Sequence, residues 1–253
     1  MTTAPLIVLT GGQVTAFLLV LLRCTGFVVT APLLGHRALP RTVKAALAVG
    51  FSALLLPRAT VAPGADAVAL AAPIELLLGL SLGFLLSLGF HAIELAGRLL
   101  ALQLGLSLEA VLNPLNQDPS TALDPFFGVL AGLLFLALGL HVETVRILAG
   151  SFAAFPIGGG WPADLGLVAG QLILLALELG TRVALPLALV LLLVELVVGL
   201  IGRAIPQVNV FILGLSAKLM IGTAALALAI PTLVAGAARI LDGLFRAVAR
   251  LAS

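Results

Sequence analysis

The chain alternates long apolar runs with short polar breaks. Most of these runs, at 1.5 Å per residue, could cross the roughly 30 Å hydrocarbon core of a bilayer, although the second is short for an independent span. The pattern predicts an all-α, polytopic membrane-type protein of about six hydrophobic helical segments. The runs cover residues 13–34, 45–56, 74–104, 126–140, 165–201 and 208–230, and an amphipathic tail follows at 237–253, where Pro231 and Gly236 are expected to loosen the helix.

Composition supports this class of protein. The 253 residues are 62% hydrophobic and only 9% charged, so too few polar side chains are present to cover a soluble globule of this size. The formal net charge of +2 comes from scattered cations, which does not suggest a nucleic-acid-binding face. The amphipathic tail, in contrast, is expected at a surface or against a partner.

Ionisable side chains occur inside the apolar runs. Glu94 precedes Arg98, and Glu178 precedes Arg182, by four residues, which is the favourable order for an ion pair on one helix. Such pairs would neutralise charges that are costly at membrane depth. His91 lies one turn before Glu94, so a proton relay is conceivable there, but a structural polar contact is the favoured interpretation.

A lysine lies near the middle of the sixth run. At that depth the Lys218 ammonium costs on the order of 2.5 to 3.5 kcal/mol on insertion scales, so it requires a partner or water. We expect a buried pair with a carboxylate such as Glu178 or Glu195. Polar residues also precede this run, and a proline among them is expected to break the helix between the two runs.

The most specific pattern of the sequence is PQ-x-N-x-F-x-x-G-x-x-x-K, after the segment GLIGRAI. It is formed by Pro206, Gln207, Asn209, Phe211, Gly214 and Lys218. This pattern resembles the FliR/SctT family of type III export-gate proteins, and so does the segment from TAPLLG to VKAAL near the N-terminus. The resemblance extends over residues 26–231. It is shared by flagellar and injectisome members, and GLIGRAIPQVNVF favours a flagellar one.

The resemblance implies a single export-gate domain over residues 1–253, built of packed helical hairpins, in the bacterial inner membrane and the flagellar basal body. The implied partners are FliP-like and FliQ-like subunits, an FlhB-like switch protein and unfolded export substrates. No cofactor, metal or nucleic acid is implied. Arg203, Gln207, Asn209 and Lys218 are expected to hold neighbouring helices through buried polar contacts.

The loop between the third and fourth runs is unusually apolar at its beginning. Three Asx-Pro steps mark it as irregular, and its aliphatic side chains should pack into something rather than face water. In the family that it resembles, this segment plugs the closed channel, commonly with phenylalanines and an Asp-Pro step. Here a hydrophobic seal without aromatic stacking is implied, while an ordinary interhelical loop stays an alternative. The proposed plug residues are Leu106, Leu108, Val111, Leu112, Asn113 and Pro114.

Two other functions are less compatible with the sequence. A proton-coupled or small-solute secondary transporter would explain the ionisable residues within the runs, but no internal repeat is visible. An intramembrane enzyme is disfavoured because the sequence contains no nucleophile-base constellation, HExxH motif or glycine-rich phosphate loop. We therefore do not expect catalytic residues.

Two common sequence tests identify neither the helix contacts nor the membrane orientation. GxxxG spacing occurs at Gly79 and Gly83, at Gly128 and Gly132, and at Gly166 and Gly170, but 27 glycines in 253 residues predict about three matches by chance. The basic residues divide almost evenly between the two sides of a six-span arrangement, so the positive-inside rule assigns no orientation.

Overall fold

The computed structural model describes residues 11–36, 38–60, 68–106, 123–204 and 210–251. These residues form seven α-helices, and a 3-10 turn, Leu56–Arg58, follows the second. Leucine and alanine dominate the helices, and both have high helix propensity. The all-α, membrane-type prediction is confirmed. The helices are α1 Gly11–Thr30, α2 Arg41–Leu55, α3 Val68–Leu104, α4 Leu123–Ala137, α5 Leu140–Ala154, α6 Leu165–Ala204 and α7 Val210–Leu251.

Fewer helices qualify as membrane spans than the six apolar runs suggested. Among the described residues, four stretches are long and apolar enough to cross a membrane: Gly12–Thr30, Leu70–Leu104, Leu165–Ala204 and Gly214–Leu251. Helices α4 and α5 are bent by 72° and would make a fifth span together. The second apolar run forms most of α2, whose 15 residues are too few to cross a hydrocarbon core unaided.

The bend between α4 and α5 occurs at a glycine. Gly139 has a φ of +69°, a left-handed conformation that side chains with a Cβ adopt only with strain. A Cβ at this position would meet nothing within 4 Å, so the backbone conformation, not lack of space, favours glycine here.

The chain divides into two compact units. The first comprises Met1–Ser87, His141–Gly170 and Phe245–Ser253, and the second comprises Leu88–Leu140 and Gln171–Leu244. Helices α3, α6 and α7 pass from one unit into the other.

In the first unit, glycines let α1 and α3 approach closely. A Cβ on Gly79 would lie 2.8 Å from the carbonyl carbon of Arg23, and one on Gly26 would lie 2.8 Å from the nitrogen of Leu80. Thr30 Oγ1 donates a hydrogen bond to the Leu80 carbonyl, at 2.9 Å. The contact is therefore between backbones, as small residues permit in membrane helices.

In the second unit, α3 packs on α4 and α6, again at glycines. A Cβ on Gly97 would lie 2.5 Å from the Phe127 ring of α4, and one on Gly180 would lie 2.5 Å from the Ala92 carbonyl oxygen. The Phe90 and Phe135 rings also make an edge contact, with centroids 5.5 Å apart.

One sequence expectation about a helix end was wrong. Helix α3 begins at Val68, before the predicted start at 74, and it contains Pro73. Helix α7 continues through Pro231, because a proline removes one backbone donor without necessarily ending a helix in an apolar environment.

The amphipathic tail is therefore the last part of α7. Its apolar side chains Ile240, Leu244 and Val248 are buried within this chain, while Arg246 and Arg250 are exposed. The amphipathic pattern was correct, but the apolar face packs inside the protein and is not available to a membrane surface or a partner.

Candidate functional site: ion pairs within the apolar helices

The residues of the most specific sequence motif lie around the break between α6 and α7. Helix α6 ends at Ala204 and α7 begins at Val210, while Pro206, Gln207 and Asn209 lie outside the described residues. Arg203 is exposed in the last turn of α6. Phe211 lies in the first turn of α7.

Of the proposed plug residues, only Leu106 is described. It is half-buried in the turn that ends α3, where its N–H donates to the Ala101 carbonyl at 3.1 Å. The others, Leu108, Val111, Leu112, Asn113 and Pro114, lie outside the described residues.

Lys218 pairs with Glu195 of the preceding helix. Its Nζ donates to Glu195 Oε1 at 3.0 Å, so the pair joins α6 to α7 across the break. The lysine side chain is 19% exposed and the glutamate 55% exposed within this chain. Of the two carboxylates that the sequence offered, Glu195 holds this position, and Glu178 pairs with Arg182 at 2.5 Å along α6.

Arg98 has a different partner from the one that the sequence favoured. Its Nε lies 3.8 Å from Asp124 Oδ1 in the first turn of α4, and among the described residues no ion pair joins it to Glu94. The cause is the glycine contact between these helices. Because Gly97 admits the Phe127 ring, the start of α4 comes close to α3 and places Asp124 beside Arg98.

The most buried of the described ion pairs was not predicted from the sequence. Arg23 Nε donates to Glu75 Oε2 at 2.7 Å, and the two side chains are 0% and 1% exposed. Arg23 Nη1 donates to the Ser151 carbonyl at 2.9 Å, and Arg23 Cζ lies 4.6 Å from the centroid of the Phe152 ring. Glu75 Oε1 accepts the Gly158 N–H at 3.0 Å. We call these five residues the Arg23 cluster.

The Arg23 cluster fixes the turn that follows α5 against α1 and α3. Gly158 has a φ of +74°, which suits glycine, and its N–H is directed at Glu75. The neighbouring Ile157 N–H donates to the Thr60 carbonyl at 2.8 Å, and Thr60 Oγ1 donates to the Phe152 carbonyl at 3.0 Å. Three segments that are distant in sequence therefore meet at one pair of charges, and Thr60 holds the third of them from a fourth segment.

A signal for this pair was present in the sequence. Arg23 lies inside the first apolar run, and Glu75 lies at the start of the third. Opposite charges within separate apolar segments are expected to find each other, since each is costly alone.

The described ion pairs inside the apolar helices are suited to fixing helix contacts. When one partner of a buried pair is lost, the other charge stays uncompensated, so such pairs discriminate strongly between correct and incorrect packing. The Arg23–Glu75 pair does so between α1 and α3. The Lys218–Glu195 pair, which the sequence predicts to be buried, also joins two helices, but it is not buried within this chain, because Glu195 is 55% exposed.

Long apolar helices and ion pairs within them define a polytopic helical membrane protein. The sequence model of the bacterial export proteins, family 1, matches residues 14–244. The chain is 32% identical over 240 residues to the flagellar biosynthetic protein FliR of Escherichia coli (strain K12), with 92% of this chain and 91% of that protein covered. It is 31% identical over 217 residues to the same-named protein of Aquifex aeolicus (strain VF5), with 83% of each covered. The chain therefore belongs to the bacterial export proteins, family 1, which confirms the family resemblance.

Proposed function

We propose that this chain, a component of the flagellar type III export apparatus, helps to form and seal the channel through which unfolded export substrates cross the bacterial inner membrane. Family membership over residues 14–244 is the observation that carries this proposal. All residues, 1–253, act as one export-gate domain in this proposal. Family membership gives no support to the secondary transporter that the sequence left open.

The exposed apolar faces of α6 and α7 support a role within an assembly. In the most apolar 18-residue stretch of each helix, 22% is buried inside this chain for α6 and 11% for α7, against 61% for α3. Leu193 on α6 is 62% exposed and Leu228 on α7 is 84% exposed. Lipid or another apolar subunit must cover such side chains. In the proposed gate, FliP-like and FliQ-like subunits cover part of them, and an FlhB-like protein lies alongside.

The seal is proposed for the segment from Leu106 to Pro114, with Leu108, Val111 and Leu112 closing the channel by hydrophobic contact. A layer of aliphatic side chains excludes water and ions from a narrow passage. The motif residues Arg203, Gln207 and Asn209 are proposed to hold neighbouring helices.

Co-purification tests the gate assignment. We expect the tagged chain, co-expressed with FliP-like and FliQ-like proteins of the same genome, to yield one defined hetero-oligomer in native mass spectrometry. The chain alone should not transport a radiolabelled small solute into liposomes. A stable homo-oligomer that ignores both partners, or solute uptake by the chain alone, would contradict the proposal.

Replacement of Lys218 by methionine is expected to lower both gate assembly and export about tenfold or more. The change leaves the Glu195 carboxylate without its cation, at a cost of about 2.5 to 3.5 kcal/mol if it lies at membrane depth. Assembly is measured by co-purification and export by the amount of secreted flagellar protein. The exchanged variant, Lys218→Glu with Glu195→Lys, restores opposite charges and should recover much of both. Unchanged assembly and export in Lys218→Met would remove this pair from the proposal.

A further inference from the structure

A groove lies between α3 and α6 within the second unit of the chain. The buried Ala92 and Ala176 form its deep lining, and leucines of both helices form its walls. The charged side chains that line it are Glu94 and Arg98, both on α3. His91, which also lines it, is counted as neutral at pH 7. The groove is therefore an apolar channel with two opposite charges on one wall.

The carboxylate in this groove has no partner in the part of the chain that the structure describes. Glu94 is half-buried, and it makes no hydrogen bond or ion pair with a described residue. Arg98 follows it by four residues, which would permit an ion pair along α3. The Arg98 Nε instead lies 3.8 Å from Asp124 Oδ1 of α4. Glu94 is thus a partly desolvated charge that the described residues do not compensate.

The charges around the groove do not balance. Arg98 is the one cation that lines it, and it lies beside two carboxylates, Glu94 and Asp124. One negative charge therefore remains whichever of the two carboxylates Arg98 serves. The neighbouring Glu178 pairs with Arg182 along α6, so these two residues add no net charge. The described part of the groove consequently has an excess of one negative charge.

The surroundings of the groove require an apolar cover. Leu174 and Leu177 of α6 are exposed at its edge, and Leu102 is exposed one turn beyond Arg98 on α3. Water would be an unfavourable neighbour for these leucines. Hydrocarbon would be a favourable neighbour for them but would leave the excess negative charge without a partner, which is costly in lipid. A protein surface that is apolar and brings one cation suits both, whatever the level of the groove relative to the bilayer.

We propose that this groove receives a lysine or arginine side chain from a helix of a neighbouring export-gate subunit, and that this cation pairs with Glu94. Lysine and arginine combine an apolar stem with a charged end. The stem can lie against Leu95 and Leu177 while the charged end donates a charge-assisted hydrogen bond to the carboxylate. The inference rests on the proposed function, because it places the partner in the export gate.

The first test compares the isolated chain with the assembled complex. In the isolated chain, Glu94→Gln removes a carboxylate without a described partner, so the free energy of unfolding should not fall. In the complex, the same change should weaken binding to FliP-like and FliQ-like subunits about tenfold or more, because a charged pair across a subunit contact loses one partner. A side chain with a purely structural role would instead lower the stability of the isolated chain. That result would contradict the proposal.

Two further variants test the sign of the partner's charge. Glu94→Lys brings like charges together and should abolish assembly. Arg98→Gln increases the negative charge of the groove, so it should leave assembly unchanged or strengthen it. A greater loss of assembly in Arg98→Gln than in Glu94→Gln would indicate an anionic partner and would overturn the proposal.

Glu143→Gln is the matched control for the loss of a carboxylate. Glu143 is also half-buried, but it pairs with Arg146 inside this chain and does not line the groove. Its replacement should therefore leave assembly unchanged. Equal losses of assembly in Glu143→Gln and Glu94→Gln would show that the effect is not specific to the groove, and the proposal would fail.

A photo-crosslinking residue at Leu177 identifies what lies in the groove of the assembled complex. We expect it to capture a helix of another gate subunit that contains a lysine or arginine, and replacing that residue by glutamate should restore assembly to Glu94→Lys. Capture of lipid alone, of a helix without a basic residue, or of nothing would overturn the proposal. If the wild-type chain formed no complex at all, the gate assignment would fail and this proposal with it. A complex that Glu94→Gln and Glu94→Lys both leave intact would contradict this proposal alone.

Discussion

Arg23→Met will destabilise the protein by about 3 to 5 kcal/mol, the usual cost of removing one partner from a buried ion pair. The change leaves the Glu75 carboxylate buried with the Gly158 N–H as its remaining hydrogen-bond donor among the described contacts. It also removes the contact with the Ser151 carbonyl and the cation over the Phe152 ring. Reversible unfolding in mixed detergent micelles, followed by circular dichroism, measures the free energy of unfolding.

The double variant Arg23→Met, Glu75→Met separates loss of the pair from damage to the core. With both charges removed, no uncompensated charge remains, and apolar replacements of buried pairs are often nearly neutral. The double variant should therefore be more stable than either single variant. The double-mutant cycle of these three variants and the wild type should then give a large coupling energy. Arg146→Met is the control, because its pair with Glu143 has a 72% exposed arginine and should contribute less than about 1 kcal/mol. If the losses in free energy of unfolding at Arg23 and Glu75 were additive, the two side chains would stabilise the protein independently and not as a pair.

The sequence was sufficient to predict the helical class and much of the helix content. The apolar runs identified α1 and α6 closely, and α3 apart from its first six residues, because long runs of leucine and alanine in a chain with few charges have few alternatives to apolar helices. Helix ends were harder to predict. Helix α3 begins at Val68, before the predicted start at 74, and Pro73 lies inside it, since a proline removes only one backbone donor.

The contacts between charges could be predicted only in part. The Glu178–Arg182 pair depends on spacing within one helix, which the sequence contains. The partners of Arg23 and Arg98 depend on which helices touch, and that is decided at glycines such as Gly79 and Gly97. Three GxxxG motifs looked equivalent by counting. In the structure a Cβ would meet nearby atoms at Gly79 and Gly83 but nothing at Gly128, Gly166 or Gly170, a difference that only the helix neighbours create.

Gly79→Ala will destabilise the protein by about 1 to 3 kcal/mol or more, the range for overpacking a close contact. The added methyl group would lie 2.8 Å from the Arg23 carbonyl carbon and 2.9 Å from the Phe27 nitrogen. These are backbone atoms of α1, which cannot move aside as a side chain can. The loss should occur even though alanine favours a helix over glycine by about 0.8 to 1.0 kcal/mol. Reversible unfolding in mixed detergent micelles measures this loss in the free energy of unfolding.

Gly128→Ala is the matched control, since it changes another GxxxG glycine inside a helix where a Cβ meets nothing within 4 Å. Its expected effect is neutral or slightly stabilising, opposite in sign to that of Gly79→Ala.

Gly79 and Glu75 lie one turn apart on α3, so α1 can bring Arg23 to Glu75 only if it also lies against Gly79. Gly79→Ala should consequently weaken the ion pair as well. Arg23→Met should therefore lower the free energy of unfolding less in the Gly79→Ala variant than in the wild type. Fully additive effects would mean that the close approach of the helices and the buried pair stabilise the protein independently.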